Sequence, residues 1–410
     1  MATTGVDIPA FTQIASLDLN ASYGVSDVAI LNPNLIVIVY DAVESTSHQV
    51  FAKAAVKQED GNWSLGAAVT IATYTTRSYY DAAAVKCIAM NSNTAAVCAG
   101  GASFDSSNYY KGASFIIILD VTADGVITVK QKKDIHYPNP AYVTREGEQI
   151  IFGYTADNPM LTKINETTCV VATKFVYSDD RPGIAVGSFT YSNGVLTVPS
   201  NYVGLVASTS DNSYTTIYSL SKLNDNACVV VYQYDSTTHR GAVCSIAGAS
   251  ISKVTDWAQS ANGDYYGYIE NNICFSSNNR SLRRSVWNGS TFAHTPIGLS
   301  ANVSGYTAIL KAADNKWYVI GTRGTSMAIG PISTVYAINI LDSSYSGAAV
   351  TTISYLGFDC RCGLMVLSNR TAVVVAPVIN TTTAKLSSSR IDGVALSDAV
   401  PTENVIVCTL

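Results

Sequence analysis

Between Ser213 and Val254 short apolar runs and polar turns follow one another in a fixed order. A first strand spans about Tyr214 to Leu220, and Asn224-Asp225-Asn226 then supplies residues that tolerate left-handed backbone and bond their own main chain. Cys228 to Tyr234 is apolar, β-branched and without helical spacing, which predicts a strand covered on both faces. The polar stretch Asp235 to His239 leads into a third strand, Arg240 to Ala247. A Gly248 turn and a short fourth strand near Ile251 to Val254 complete a four-stranded antiparallel meander.

The same order recurs along the chain. The turn between first and second strands is read at Asn32-Pro33-Asn34, Asn91-Ser92-Asn93, Asn165-Glu166-Thr167, Asn224-Asp225-Asn226, Glu270-Asn271-Asn272, Ala313-Asp314-Asn315 and Ser368-Asn369-Arg370. The turn between third and fourth strands is read at Asp60-Gly61, Asp124-Gly125, Asn193-Gly194, Gly248, Asn288-Gly289, Gly347 and Asp392-Gly393. Asp-Gly and Asn-Gly supply the positive φ angles of a tight hairpin.

The spacing averages about 56 residues, which is in the range of propeller blades. A lone meander cannot bury both faces, so such units are stabilised by stacking around an axis. The expected fold is therefore all-β: a seven-bladed β-propeller of four-stranded antiparallel blades. Phe11 to Leu19 and Asn404 to Leu410 are the leftover apolar segments, suited to closing the ring in one shared sheet. The repeat runs without a linker, so residues 1–410 read as a single domain. The longest interval holds an insertion, or arm, at about residues 131–158, which includes Lys132 and Lys133.

Composition narrows the function. The chain is 48% hydrophobic and only 13% charged, with a net charge of −5, which argues against a nucleic-acid partner. Arg280, Arg283 and Arg284 are the dense basic cluster, read as charge guarding a blade edge. Most of the nine cysteines lie in apolar runs, and Cys169, Cys228 and Cys274 share one slot at the start of second strands, which predicts buried thiols and assembly in a reducing cytoplasm. Cys360 and Cys362 lie two apart on an expected strand and lack further ligands nearby. No secretory signal and no run long enough to span a membrane is legible.

Chemistry is sparse. His48, His136, His239 and His294 fall in different units without metal-ligand spacing, and there is no phosphate loop, no nucleophile elbow and no repeated sialidase turn. No enzyme activity, cofactor or metal is expected. Tyrosine is the feature that stands out, with 25 residues. Tyr74, Tyr79 and Tyr80 lie beside Arg77 and Asp81; Tyr109 and Tyr110 follow Asp105 and Asn108; Tyr265, Tyr266 and Tyr268 follow Asp264. These clusters map to strand 2–3 and blade-to-blade connections, which leave a propeller on one face. Tyrosine with Ser and Asn is the composition of adaptable recognition surfaces. The candidate binding residues are therefore Arg77, Tyr79, Tyr80, Asp105, Tyr109, Tyr110, Asp264, Tyr265 and Tyr266.

The unit in SLSKLNDNACVVVYQYDSTTHRGAVCSIAGASIS resembles the degenerate propeller repeats of bacteriophage virion proteins, particularly tail-associated and receptor-binding components. The resemblance implies a non-enzymatic structural or adhesion protein, made in the host cytoplasm and carried in the virion. Its partners would be other virion proteins or a host-surface glycan, with homo-oligomers in an assembly. The alternative is a cellular propeller lectin or a glycoside-active enzyme.

Overall fold

The computed structural model of the chain describes residues 12–18, 25–44, 47–75, 84–104, 110–135, 159–176, 182–206, 217–234, 238–259, 266–278, 281–297, 305–311, 317–326, 332–341, 349–357, 364–368, 371–376 and 404–409, with side chains described within 27–297. Among them every regular element is a strand.

After β1 (Thr12–Asp18), the first sheet is β2 (Val25–Asn32), β3 (Leu35–Glu44), β4 (Ser47–Lys57) and β5 (Trp63–Leu65), with β6 (Val69–Thr75) also on β4. The next is β7 (Ala84–Ala89), β8 (Thr94–Phe104), β9 (Tyr110–Val121) and β10 (Ile127–Asp134). The third is β11 (Met160–Lys163), β12 (Thr168–Val176), β13 (Pro182–Ser192) and β14 (Val195–Thr197), with β15 (Tyr202–Val206) also on β13. The fourth, from the stretch that opened the sequence analysis, is β16 (Ile217–Asn224), β17 (Ala227–Gln233), β18 (His239–Ala247) and β19 (Ser250–Gln259). β20 (Tyr266–Glu270), β21 (Ile273–Asn278), β22 (Ser281–Trp287) and β23 (Phe292–Ile297) make the fifth. β24 (Gly305–Lys311), β25 (Trp317–Ser326), β26 (Ile332–Leu341) and β27 (Ala349–Gly357) pair in the same order. Finally β28 (Leu364–Ser368), β29 (Thr371–Ala376) and β30 (Asn404–Thr409) share a sheet with β1 in the order β1-β30-β29-β28.

The expected four-stranded antiparallel unit is thus the building block. Its faces are apolar because each is covered by a neighbour: β17 is buried at every residue. One core joins Val37 and Val39 of β3 to Val85, Val97 and Ile117 of the following sheet; others join Cys98 to Cys169 and Val170 to Cys228. First strands lie against one another in succession, β2 on β7, β7 on β11, β11 on β16, β16 on β20, β20 on β24, β24 on β28, and β28 also touches β2. Sheets that stack face to face with their first strands innermost define a β-propeller architecture.

Both turn signatures fold as their residue types dictate. Asn32, Asn91, Asn165 and Asn224 each accept, through Oδ1, the backbone N–H two residues on, at 2.8–3.1 Å. Gly61, Gly125, Gly194, Gly248 and Gly289 all have φ between +60° and +102°, the region that disfavours a side chain. The turns at Ala313, Ser368, Gly347 and Gly393 lie wholly or largely outside the described residues.

The carboxamides of the first turn also tie neighbouring sheets together. Asn32 Nδ2 donates to Ser92 O at 2.7 Å, Asn165 Nδ2 to Asp225 O at 3.1 Å and Asn224 Nδ2 to Asn272 Oδ1 at 2.6 Å. At the outer rim, Gln131 donates to Gly194 O and accepts from Leu196 N, so that one side chain occupies the edge of β14 as a strand would. Asn201 does the same at Ile251, accepting from its N–H at 2.9 Å and donating to its carbonyl.

Several sequence boundaries are corrected. β16 runs on to Asn224 instead of stopping at Leu220, because its ladder continues to the pair Asn224 and Ala227. β19 extends to Gln259, pairing the whole length of β18. Residues 131–134 are not arm but the end of β10, in register with β9, and Lys132 lies over the Phe115 ring while Lys133 Nζ donates to Leu196 O. The rest of the insertion, 136–158, is outside the described residues. Arg283 and Arg284 do not guard an edge: they are half-buried in β22, which is paired on both sides. Cys169, Cys228 and Cys274 do share a buried slot, each in the core facing the preceding sheet.

Candidate functional site

In an antiparallel four-stranded sheet the start of the first strand, the end of the second, the start of the third and the end of the fourth share one end. Phe104 pairs with Tyr110 there, Ser47 with Thr75, and His239 with both Gln233 and Gln259. The candidate residues Arg77, Tyr79, Tyr80, Asp105, Tyr109, Asp264 and Tyr265 belong to the connections between such strand ends and themselves lie outside the described residues, as do Arg280, Cys360 and Cys362. Tyr110 opens β9.

Tyr266 is corrected from a surface residue to a core one. It is 1% exposed, its ring lies 5.2 Å from Phe292 and 6.3 Å from Trp257, and its N–H donates to Ser219 Oγ at 3.2 Å. Alternation along β20 accounts for this, since the first residue of the strand points into the packed seam. Tyr268, also facing its neighbours, lies beneath Lys222 Nζ at 4.9 Å.

The described part of this end holds a buried polar group that histidine spacing did not reveal. Gln233 and His239 face each other across the β17–β18 hairpin. Tyr218, one residue from the Ser219 that anchors Tyr266, donates from Oη to Gln233 Oε1 at 3.3 Å and lies 3.0 Å from His239 Nε2. Its ring meets the imidazole edge-on, with centroids 4.9 Å apart. His239 is 6% exposed, and its Nδ1 is buried without a hydrogen-bond partner. Counting outward symmetrically from the loop between Gln233 and His239 would have paired them; nothing in the sequence placed Tyr218 beside them.

A second histidine serves packing. Ser276 and Ser285 are fully buried with oxygens 2.6 Å apart, and Ser285 Oγ lies 2.8 Å from His294 Nδ1. Burial, and then the nearby Arg283 charge, hold His294 below its usual value. Ser285 is out of reach of a substrate, so the chain satisfies hydroxyls the core has desolvated. On the first-turn end, Lys163 pairs with Glu166 at 3.0 Å and Lys222 with Asp225 at 2.6 Å, which neutralises the lysines nearest the first strands.

Among the described residues no cluster of three or more His, Cys, Asp or Glu side chains could hold a metal, and no helix is long and apolar enough to cross a membrane.

No protein-family model matches the chain, and no curated protein matches it by sequence. Among solved structures it is similar to a protein of unknown function from Dyadobacter fermentans, at 10% identity over 98% of this chain and 100% of the other, with a TM-score of 0.45. It is similar to YCF48 from Cyanidioschyzon merolae at 13% identity over 98% and 99%, with a TM-score of 0.42. The WD40 domain of SCAP from fission yeast gives 8% identity over 97% and 98%, with a TM-score of 0.34.

Proposed function

We propose that this chain is a seven-bladed propeller closed by its two termini, and that it works without catalysis as a bacteriophage virion structural or adhesion protein. It is synthesised in the host cytoplasm and presents its loops to another virion protein or to a glycan on the host surface. Support for the ring comes from β1 and β30 sharing a sheet, with Thr12 opposite Thr409 and Asp18 opposite Asn404. The succession of touching first strands, returning from β28 to β2, is in keeping with it. The observation that carries the recognition reading is the common end of the sheets: strand ends flanking all three tyrosine-bearing connections lie there.

The test is a glycan array read alongside a hydrolysis assay on the same polysaccharides. Retention without product is the expected result. Product release would overturn the non-enzymatic reading in favour of a glycoside-active enzyme. Within the retained set, changing Tyr79, Tyr109 and Tyr265 together to Ala should weaken attachment markedly, since aromatic anchors at an interface carry about 2 kcal/mol or more each. Unchanged attachment would remove those connections from the site.

A further inference from the structure

We infer that Arg240, with Tyr234, Lys253 and Asp256 around it, forms a subsite for the carboxylate of an acidic saccharide. The inference rests on the glycan reading above and names the class of sugar that would be held.

Strand register assembles the group. Arg240 is the second residue of β18 and Tyr234 follows the last residue of β17, so both lie at the common end of the sheets. Arg240 stands opposite Tyr232 on one side and Ala258 on the other. Residues three apart on a regular strand point to opposite faces. The ladder skips Val254, however, passing from Thr255 opposite Val243 to Lys253 opposite Cys244, and this bulge turns Lys253 to the face that Asp256 and Arg240 occupy. Lys253 Nζ and Arg240 Nη1 meet the same oxygen of Asp256, Oδ2, at 2.8 and 3.7 Å.

Two cations thus share one carboxylate, and the short contact goes to the lysine. The Arg240 guanidinium forms no hydrogen bond among the described residues, since 3.7 Å is too long for one and Nε has no partner. It is held instead against the Tyr234 ring, whose centroid lies 4.4 Å from Cζ. The side chain is 34% exposed and that of Lys253 43%, so a solute reaches both. An arginine fixed by stacking, with its donors uncommitted and a third of its side chain open, is preorganised for a planar anion such as a carboxylate. Asp256 then selects among anions. Its Oδ1 accepts no hydrogen bond among the described residues, so a ligand fits best if it brings a donor beside its charge. The hydroxyls of a sugar acid do so, whereas free sulfate has acceptors alone and would set an oxygen against Asp256. The side chains of an acidic peptide carry carboxylates without the adjoining hydroxyls.

The experiment sets the full chain against oligosaccharides bearing hexuronate or sialate, the same oligosaccharides with each carboxyl reduced to an alcohol, and polyglutamate, with affinities measured by calorimetry. A carboxylated form should bind about tenfold or more tightly than its reduced form, and polyglutamate should not bind. Arg240→Gln should lose about the same factor with its melting temperature kept, because the guanidinium makes no hydrogen bond within the fold. Arg240→Lys, which keeps the charge but not the stacked fork, should recover only part of that loss. Added salt should weaken the wild type more than Arg240→Gln. Equal or tighter binding of the reduced saccharides, or full affinity in Arg240→Gln, would overturn the subsite and leave the glycan reading standing. Polyglutamate bound as tightly as the acidic saccharides would overturn it in favour of an acidic protein partner. No retention of any saccharide by the wild-type chain, acidic or neutral, would sink both readings. If Arg240→Gln fails to fold, the comparison of carboxylated with reduced saccharides on the wild-type chain decides.

Discussion

Asn165 joins two blades through one carboxamide: Oδ1 accepts the N–H groups of Thr167 and Thr168 at 3.1 and 3.0 Å, while Nδ2 donates to the carbonyl of Asp225 at 3.1 Å. Only an amide can do both. Asn165→Asp keeps the first two bonds and sets a carboxylate against a carbonyl. Its melting should fall, at a cost of about 1 to 3 kcal/mol, and wild-type stability would show that the contact between turns contributes nothing.

Gly125 and Gly61 have the same left-handed backbone, with φ of +86° and +84°, but different surroundings. A Cβ on Gly61 meets nothing within 4 Å, whereas one on Gly125 would lie 2.6 Å from Val56 Cγ2 in the preceding blade. Gly61→Ala should cost about 1 kcal/mol through backbone strain alone. Gly125→Ala should cost that and about 1 to 3 kcal/mol of overpacking as well. Equal costs by chemical denaturation would deny close packing at that seam.

Asp27 is 7% exposed, with its carboxylate accepting the Cys87 N–H at 2.8 Å and the Lys86 ammonium 3.9 Å away. Burial raises its pKa above the ordinary 3.8, opposed by Lys86 and the backbone donors. The folded state therefore holds this proton more tightly than the unfolded one. The stability linked to it is fully present below 3.8 and is lost as pH rises through the folded value. Asp27→Asn keeps an acceptor for Cys87 and has no proton to lose, so relative to wild type it should gain stability from pH 3.5 to pH 7, about those values. Parallel pH profiles for the two proteins would refute this.

Burial pushes the thiols of Cys98, Cys169 and Cys274 up to about 12. At about pH 8 almost none of each is thiolate, the reactive form. Alkylation mapped by mass spectrometry should leave these three unmodified in the native chain and label them together once denaturant unfolds it. Rapid labelling of any one under native conditions would mean that its blade opens locally.

β30 lies between β1 and β29 and pairs with both along its whole length. Deleting residues 404–409 should strip two strands of their partner and expose their edges, giving aggregation or a broadened unfolding transition. A truncated chain that melts as sharply as the full one would reduce β30 to a tail.

Much of this fold could be read from turn chemistry. Asn at the first turn and Gly at the second are demanded by local backbone geometry, so they recur wherever the unit does, and Asn193 at φ +53° beside Gly194 shows the constraint directly. Strand ends were harder: Asn224 is both turn residue and last rung of a ladder, which composition cannot reveal. The site was less legible because which way a residue faces at a strand's first position depends on the seam it enters. Tyr266, one residue from a polar loop, is core for that reason, whereas Tyr218 and His239 meet only through pairing across three strands.

The clamps between blades have a direction. Asn32, Gln131, Ser188, Asn201 and Asn165 each reach forward to the backbone of the next blade, and Asp27 and Ser219 receive N–H groups from it; Lys163 and Cys274 reach back. On a chain that leaves the ribosome N-terminus first, each completed blade would already display the side chains that its successor must meet. Synthesis and docking would then proceed in the same order, and the blade sharing β1 and β30 would be the last to be assembled.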